Sequence, residues 1–524
     1  MTHFATGSVV REEFALLPHL LTAHLALTLF PLLVGVCLSI PLGILCARSQ
    51  WLEHLALNAA GIVQTVPSLA LLALMVPLLG ALGITSIGFL PAFLALVLYS
   101  VLPILRNTVT GLAGLDPAIT EAALGVGMNA RQRLLRVELP LALPIIVAGV
   151  RTATVWTVGA ATLATPVGAD SLGNYIFAGL QTRNVASVLV GCVASAALAL
   201  GLDGLGRVLL AGVTRSNRGL TWTALAAFGA LYLYAGSALA SRAAGARNDT
   251  IAIGAKTFTE QYILSQILAG QISRTTGYPC EVKQSLGSSV VFDALAGGSI
   301  DAYVDYSGTI WSTVMKRTEV PAERADLVRQ MKTFLLEQRG IQVVARLGFE
   351  NSYALAMRRS RAQELGVHSI SELSSLSPRL VIGGDYEFFG RPEWKSLTAA
   401  YGLKFQAQTA MDSSLMYQAV HQGVIDVLSA FSTDGRIVAL DLVVLDDDRR
   451  AIPPYDAVVL AGKRLAREHP RALEALRRLS GRIGAQQMRA MNLEVDAGGV
   501  SPRATAQHFL SELMSNPPMP GAAP

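Results

Sequence analysis

The sequence predicts an all-α polytopic membrane domain followed by an α/β domain of two lobes. Charged residues make up only 15% of the 524 and mean hydropathy is +0.45, too apolar for a soluble enzyme and too long for one domain. The apolarity is uneven. From about Leu20 to Leu239 charges are sparse, and the apolar runs are long enough to cross a hydrocarbon core, which takes about 20 helical residues. After Asn248 short β-rich runs alternate with helical patterns, as in an α/β domain with mainly parallel sheets.

Spans are expected near His19–Cys46, Leu55–Leu79, Ile84–Leu105, Leu141–Thr165, Ala186–Leu210 and Leu220–Leu239. Pro31, Pro67 and Pro103 within them predict kinks, which neighbouring helices can accommodate by satisfying the freed carbonyls. Lys and Arg in the short loops set orientation. Arg48, Arg106, Arg131, Arg133, Arg136, Arg207, Arg215 and Arg218 share one side if the amino terminus is outside, whereas the opposite side has the nearly uncharged 80–86 turn and a loop with Asp170 and Arg183. The 117–140 loop is then cytoplasmic, and the carboxyl-terminal half lies outside the cytoplasm. No cleavable signal pattern is visible, so the first span is expected to direct insertion into the cell membrane.

The net charge of +5 is small for this length and is explained by topology, so nucleic-acid binding is not indicated. Of four cysteines, Cys37, Cys46 and Cys192 fall in spans, leaving Cys280 alone in the exported half without a partner for a disulfide there. No metal or cofactor signature is present, and no catalytic residue is assigned.

The exported half begins after a small, polar stretch, Ser241–Asn248, that reads as a tether. Beyond it come strand runs Ile251–Ile253, Glu281–Gln284 and Asp301–Val304, with helices Thr259–Thr275 and Ser289–Gly297 between them. About 265 residues suffice for two lobes. The tail 517–524 reads as disordered.

Two sets of motifs carry a family resemblance. Glu121-Ala122-Ala123, Gly127 and Val137-Glu138-Leu139-Pro140 form a polar island between apolar segments. The triplet alone would pass for an ordinary amphipathic connector. With Gly127 and Leu139-Pro140 at this spacing it resembles the coupling loop of ABC-importer permeases, a short helix-turn-helix that docks on a separate ATPase; Val137 stands where Ile is usual. In the second half, Gly254-Ala255-Lys256-Thr257-Phe258-Thr259-Glu260, Tyr306-Ser307-Gly308-Thr309, Asn351-Ser352-Tyr353, Phe431-Ser432-Thr433-Asp434-Gly435-Arg436 and Pro453-Pro454-Tyr455 follow in the order seen in binding proteins for glycine betaine, choline and related osmoprotectants. The chain thus resembles a fused permease and solute receptor of that importer family.

The resemblance implies a permease domain over 1–219 with coupling loop 117–140, and a last span and tether over 220–248. A periplasmic-binding-protein type II domain follows over 249–516, with lobe 1 at about 249–346 and 448–516 and lobe 2 at about 347–447. It implies a permease homodimer with two copies of a cytoplasmic ATPase, since no Gly-x-x-x-x-Gly-Lys-(Ser/Thr) occurs in this chain. Glu121, Ala122, Ala123, Gly127, Leu139 and Pro140 are the ATPase-coupling positions.

It also implies a ligand that is a quaternary ammonium, which donates no hydrogen bond and is held by aromatic faces. Tyr306, Tyr353, Phe431 and Tyr455 are the expected cage, with Ser289, Thr309 and Asn351 as hydrogen-bonding neighbours. Tyr306 and Thr309 are placed on the loop after the third strand, and Tyr303 is read as packing. Lys256 stands where Gln is common. It would welcome the carboxylate of a zwitterion, or else it points to solvent or pairs with an acid. Arg436 is a further ligand-binding candidate, with a structural pairing to Asp434 or Asp412 preferred. Glycine betaine, carnitine, choline-type solutes and ergothioneine fit, and amino-acid-like or bile-acid-like ligands stay open.

Three rivals fare worse. An anchored enzyme lacks metal spacing among its exported histidines and any Gly-x-Ser-x-Gly elbow. A ligand-binding sensor lacks a cytoplasmic output domain. An ion-coupled carrier should place ionisable residues inside its spans, and apart from residues at the span margins these read as nearly absent.

Overall fold

The computed structural model describes residues 2–82, 84–182, 184–245, 250–317 and 324–515. Arg183, the last part of the tether and the tail lie outside the described residues. The chain divides into two compact units, a helical one within residues 12–248 and a second built mainly from residues 249–524.

The helical unit contains α1 (Thr2–Cys46), α2 (Gln50–Thr65), α3 (Ser68–Ala81), α4 (Phe89–Ala113), α5 (Pro117–Gly125), α6 (Ala130–Arg133), α7 (Leu139–Thr162), α8 (Gly173–Gln181), α9 (Val185–Thr214) and α10 (Arg218–Gly245). Among the described residues five helices are long and apolar enough to cross a membrane, or six if the bent pair α2–α3 counts as one span. Within the expected span Leu55–Leu79, the kink anticipated at Pro67 is a full break, α2 and α3 meeting at 98°. The break falls at Val66–Pro67, where Pro67 forces the preceding residue into extended backbone (φ −71°, ψ 126°). The Tyr99 hydroxyl of α4 donates to the Val66 carbonyl at this break. Pro103, by contrast, leaves α4 continuous. It cannot donate to the Tyr99 carbonyl one turn back, and Gln64 Nε2 supplies that donor instead at 3.3 Å.

Small residues let the helices approach closely, as packing in lipid requires. A Cβ on Gly43 of α1 would sit 2.6 Å from Thr108 of α4, and one on Gly149 of α7 would sit 2.6 Å from Asn107 of α4. The ionisable residues inside the helices are not all marginal, which corrects the expectation. Arg151 in α7 reaches Asp203 in α9 at 2.7 Å, and fully buried His24 in α1 bonds the Val158 carbonyl and the Leu172 amide. Each has protein partners in this structure.

The second unit has two five-stranded sheets. The first is ordered β2-β1-β3-β10-β4, from β1 (Ile251–Lys256), β2 (Cys280–Leu286), β3 (Ala302–Tyr306), β4 (Gln342–Glu350) and β10 (Asp456–Ala461). The second is β7-β6-β8-β5-β9, from β5 (Tyr353–Arg358), β6 (Val381–Gly384), β7 (Ala407–Ala410), β8 (Val427–Phe431) and β9 (Leu442–Val444). Between the first strands lie α11 (Thr259–Thr276) and α12 (Ser288–Ala296). Both sheets are mixed and not mainly parallel: β10 runs antiparallel to β3 and β4, and β5 antiparallel to β8 and β9. The antiparallel strands flank the two places where the chain passes between sheets, at Asn351–Ser352 and between β9 and β10. The first crossing falls at the far end of the expected stretch Arg346–Asn351, since β4 stays in the first sheet through Glu350. The crossings are bonded to each other, the Asn351 amide donating to the Tyr455 carbonyl at 3.0 Å.

Candidate functional site

That topology gathers the aromatic residues. Tyr306 ends β3, Tyr353 opens β5, Phe431 ends β8 directly opposite Tyr353, and Tyr455 immediately precedes β10. Strand ends at a crossing are where ligands bind in open α/β folds. All four line one cleft of about 190 Å³, together with Lys256, Thr309 and Asn351. Tyr306 is therefore the last strand residue, and Thr309 lies in the helical turn Ser307–Thr309, not on a loop as expected. Tyr303 is fully buried, as a packing residue should be.

The rings form a continuous belt. Phe258 stacks on Phe431 with centroids 5.8 Å apart and planes 7° off parallel, and on Tyr306 at 6.2 Å. Phe431 meets Tyr353 at 5.0 Å, and Tyr353 meets Tyr455 edge-on at 6.0 Å. Phe258 was missing from the sequence-derived cage although it sits inside the quoted Gly254–Glu260 motif. Its position just before α11 was the available signal.

The hydroxyls of two belt tyrosines are committed to buried carboxylates. Tyr306 donates to Glu260 Oε1 at 2.5 Å, and Tyr455 donates to Glu393 Oε1. Glu260 also accepts from Asn351 Nδ2 at 3.0 Å, Asn492 Nδ2 at 3.1 Å and the Thr433 hydroxyl. Burial pushes the Glu260 carboxyl above its ordinary range, and these donors pull partly against it. Burial would also raise Glu393, but Arg391 and the Tyr455 hydroxyl hold it below the usual value.

Three expected ligand contacts need correction. Ser289 is exposed on α12, and it is Ser288 that lines the cleft; successive helix residues point about 100° apart, so a one-residue error turns the side chain away from the cleft. Lys256 lines the cleft, but its ammonium is 2.5 Å from Asp305 Oδ1 and both side chains are nearly inaccessible. The acid pairing left open above is what forms. Arg436 is absent from the cleft lining. It is buried, paired with Asp434 and stacked 3.9 Å over the Tyr417 ring.

Sequence reasoning missed Arg391, which lines the cleft 5.2 Å over the Tyr353 ring and pairs with Glu387 and Glu393. It also missed Asp385 and Asp412. Burial raises the Asp385 carboxyl, and backbone N–H groups of Phe388 and Glu387 partly offset this. No cluster of His, Cys, Asp and Glu suited to a metal occurs among the described residues.

In the helical unit, α5, a turn and α6 form the expected helix-turn-helix. Asp116 caps α5 through the Ala118 amide, and Asn129 with Gln132 makes a reciprocal capping box on α6. Gly127 between them has φ +80°, a conformation that favours glycine. Glu121 and Ala122 are exposed and Ala123 is buried. Leu139-Pro140 opens α7 after one wide turn, Leu134–Glu138. Glu138 is bound by both Arg48 and Arg133, at 3.0 and 2.7 Å, tying the loop to the α1–α2 connection. Leu124, Val126 and Leu135 are exposed beside it.

Residues 249–512 match the substrate binding domain of ABC-type glycine betaine transport systems. Residues 39–215 match the binding-protein-dependent transport system inner membrane component. The ergothioneine transport permease/ergothioneine binding protein of Helicobacter pylori (strain G27) is 30% identical over 473 residues, 87% of this chain and 83% of that protein. The chain belongs to the osmoprotectant family of ABC importers. Within that family, the glycine betaine/carnitine/choline transport system permease protein of Bacillus subtilis (strain 168) is 42% identical over 170 residues, 32% of this chain and 76% of that protein. The carnitine transport binding protein of Listeria monocytogenes is 31% identical over 273 residues, 51% of this chain and 88% of that protein. This osmoprotectant-family member therefore joins a permease and a substrate-binding domain in one membrane protein, and its family implies a small ligand and an ATPase partner.

Proposed function

We propose that the chain imports a quaternary-ammonium zwitterion. The aromatic belt Tyr306–Phe258–Phe431–Tyr353–Tyr455 carries this reading, because a cation without N–H donors is bound by ring faces. Acidic Asp385, Glu387 and Asp412 against Lys256 and Arg391 leave the cleft lining with an excess of negative side chains, which favours a cationic group. Arg391, beside the Tyr353 ring, is placed to meet a carboxylate. The receptor half and the amino terminus lie outside the cytoplasm, and the 117–140 loop lies inside. There Glu121, Ala122, Ala123 and Gly127, with Leu139-Pro140 beginning the next helix, dock on the ATPase. A permease homodimer with two ATPase copies completes the importer.

Ergothioneine, a histidine-derived betaine, is the second reading, favoured by the relative that matches along most of the chain. A calorimetric screen of glycine betaine, choline, carnitine and ergothioneine tests the ligand class. Tyr353→Ala and Phe431→Ala should each weaken the best binder by about 0.5–2 kcal/mol. Binding by none of the four, or affinity untouched by both variants, would sink the proposal.

A further inference from the structure

Apart from its chain ends at α4 and α7, the 117–140 loop is held to the rest of the permease by a single polar tie. Its side chains otherwise bond within it: Asp116 to the Ala118 amide, Thr120 to the Pro117 carbonyl, and Asn129 with Gln132. Among the described residues, the only side-chain hydrogen bond or ion pair that leaves residues 115–138 runs from Arg48 to Glu138, at 3.0 Å. Glu138 is buried at the end of the wide turn Leu134–Glu138. Arg133, inside the loop, takes its Oε1 at 2.7 Å, and Arg48 takes Oε2. A carboxylate has lone pairs for both, so Glu138 keeps its place in the loop whatever Arg48 does. Arg48 is the middle residue of the connection Ala47–Ser49 between α1 and α2. That corner is well fixed. The Arg48 and Ser49 amides donate to the Leu45 and Cys46 carbonyls, and Cys46 Sγ donates to the Leu52 carbonyl at 3.6 Å. From there α2 runs to the 98° break at Val66–Pro67.

The geometry points to Arg48 as a positioning residue that passes movement of the loop to the α1–α2 corner, and along α2 to the break ahead of α3. This rests on the reading of 117–140 as the ATPase-docking loop and adds the place where its movement leaves it. The Arg48 side chain is 42% exposed, and an ion pair so exposed contributes little to stability. Its loss therefore leaves the fold standing and alters how two elements move together, which is a change in coupling.

The test uses the full chain with its ATPase in proteoliposomes and takes two readouts. One is uptake of carnitine and of ergothioneine per ATP hydrolysed. The other is the change in backbone hydrogen exchange over residues 44–56 when the complex is trapped with ATP and vanadate, which needs no transported solute. Arg48→Ala should leave ATPase association and hydrolysis within about twofold, lower uptake per ATP by about 2- to 30-fold, and remove the exchange response at the corner. Arg48→Lys, which keeps a positive charge beside Glu138, should restore most of both; a residue that merely filled space would not depend on charge. If Arg48→Ala accumulates poorly, Arg48→Gln decides by the same readouts. An unchanged uptake ratio, an unchanged exchange response, or no restoration by lysine overturns the inference. A complex that takes up neither solute is judged on exchange alone. Glu121→Arg, on the exposed face of α5, separates the two readings: it should prevent ATPase association. If it does so while the Arg48 variants are silent, the docking reading stands and this inference falls; if the ATPase still binds and works normally, both fall.

Discussion

Replacing Tyr455 by phenylalanine separates what the ring does from what the hydroxyl does. The ring closes the belt against Tyr353 at 6.0 Å, and Phe preserves its face. The hydroxyl donates to Glu393, a carboxylate that is 1% exposed and also accepts from Ser312 at 2.8 Å and pairs with Arg391 at 3.3 Å. Losing one hydrogen bond to a charged group costs about 1.5–3 kcal/mol, and the remaining partners keep Glu393 from being stranded. At about 2–4 °C per kcal/mol for a domain of this size, the receptor half should melt roughly 3–12 °C lower, while ligand affinity changes less than about threefold. Tyr455→Ala should lose both, since a buried aromatic truncated to alanine costs about 3–5 kcal/mol and the ring face disappears. Residues 249–512 suit this measurement because relatives of that half are separate binding proteins. Thermal melts with and without ligand give both quantities. If Phe instead weakened binding as much as Ala and left the melting temperature unmoved, the hydroxyl would be touching ligand and the Glu393 account would be wrong.

Lys256→Gln leaves Asp305 buried without its cation and should destabilise the receptor by about 3–5 kcal/mol. Adding Asp305→Asn should recover most of that in chemical denaturation, and no recovery would deny that the pair acts as a unit. Gly127→Ala adds a Cβ that meets no atom within 4 Å, so its effect is conformational, about 1–2 kcal/mol for a left-handed L-residue. Uptake with the ATPase in proteoliposomes should fall sharply while ligand binding stays unchanged, and loss of both would reject a role confined to coupling. Asp456 titrates low: burial alone would raise it, but hydrogen bonds from Arg324 and Arg346 outweigh that. A depressed folded value means its stabilisation is complete above its ordinary pKa of about 4 and is lost as pH falls through the folded value. Asp456→Asn should therefore flatten the acid limb of receptor stability, and an unchanged limb would assign it to other carboxylates.

Much of this was legible from local pattern. Helix α11 matches the expected Thr259–Thr275 to within a residue, because a phase of apolar residues and its first-turn Glu260 are both local signals. The four expected rings do share a cleft, since each neighbours turn residues that place it at a strand end. What failed was what depends on distant partners. Lys256 could not be known to face Asp305, nor Arg391 to lie over Tyr353, because those neighbours are set by strand order. The sheets were expected to be mainly parallel, and the antiparallel β10 was not anticipated, because pairing direction leaves little trace in a short apolar run. The bend at Val66–Pro67 was anticipated as a kink, but not its size of 98° nor the Tyr99 hydroxyl that reaches its freed carbonyl from α4.

The same buried carboxylates explain why tyrosine and not phenylalanine serves at two ends of the belt. A ring attracts a cation through its quadrupole, and donating a hydroxyl proton toward a carboxylate enriches the ring in electron density. Tyr306 and Tyr455 each do so, to Glu260 and Glu393. The two acids differ in compensation. Glu393 has Arg391, whereas Glu260 forms no ion pair with a cationic side chain among the described residues and is held by neutral donors only. An ionised group in that setting costs free energy that neutral hydrogen bonds only partly offset. A ligand cation seated on the Tyr306 face would be its nearest mobile counter-charge. That ring already has the Lys256 ammonium 5.7 Å from its centroid, itself paired with Asp305, so a ligand cation would meet the Tyr306 face beside a neutralised lysine.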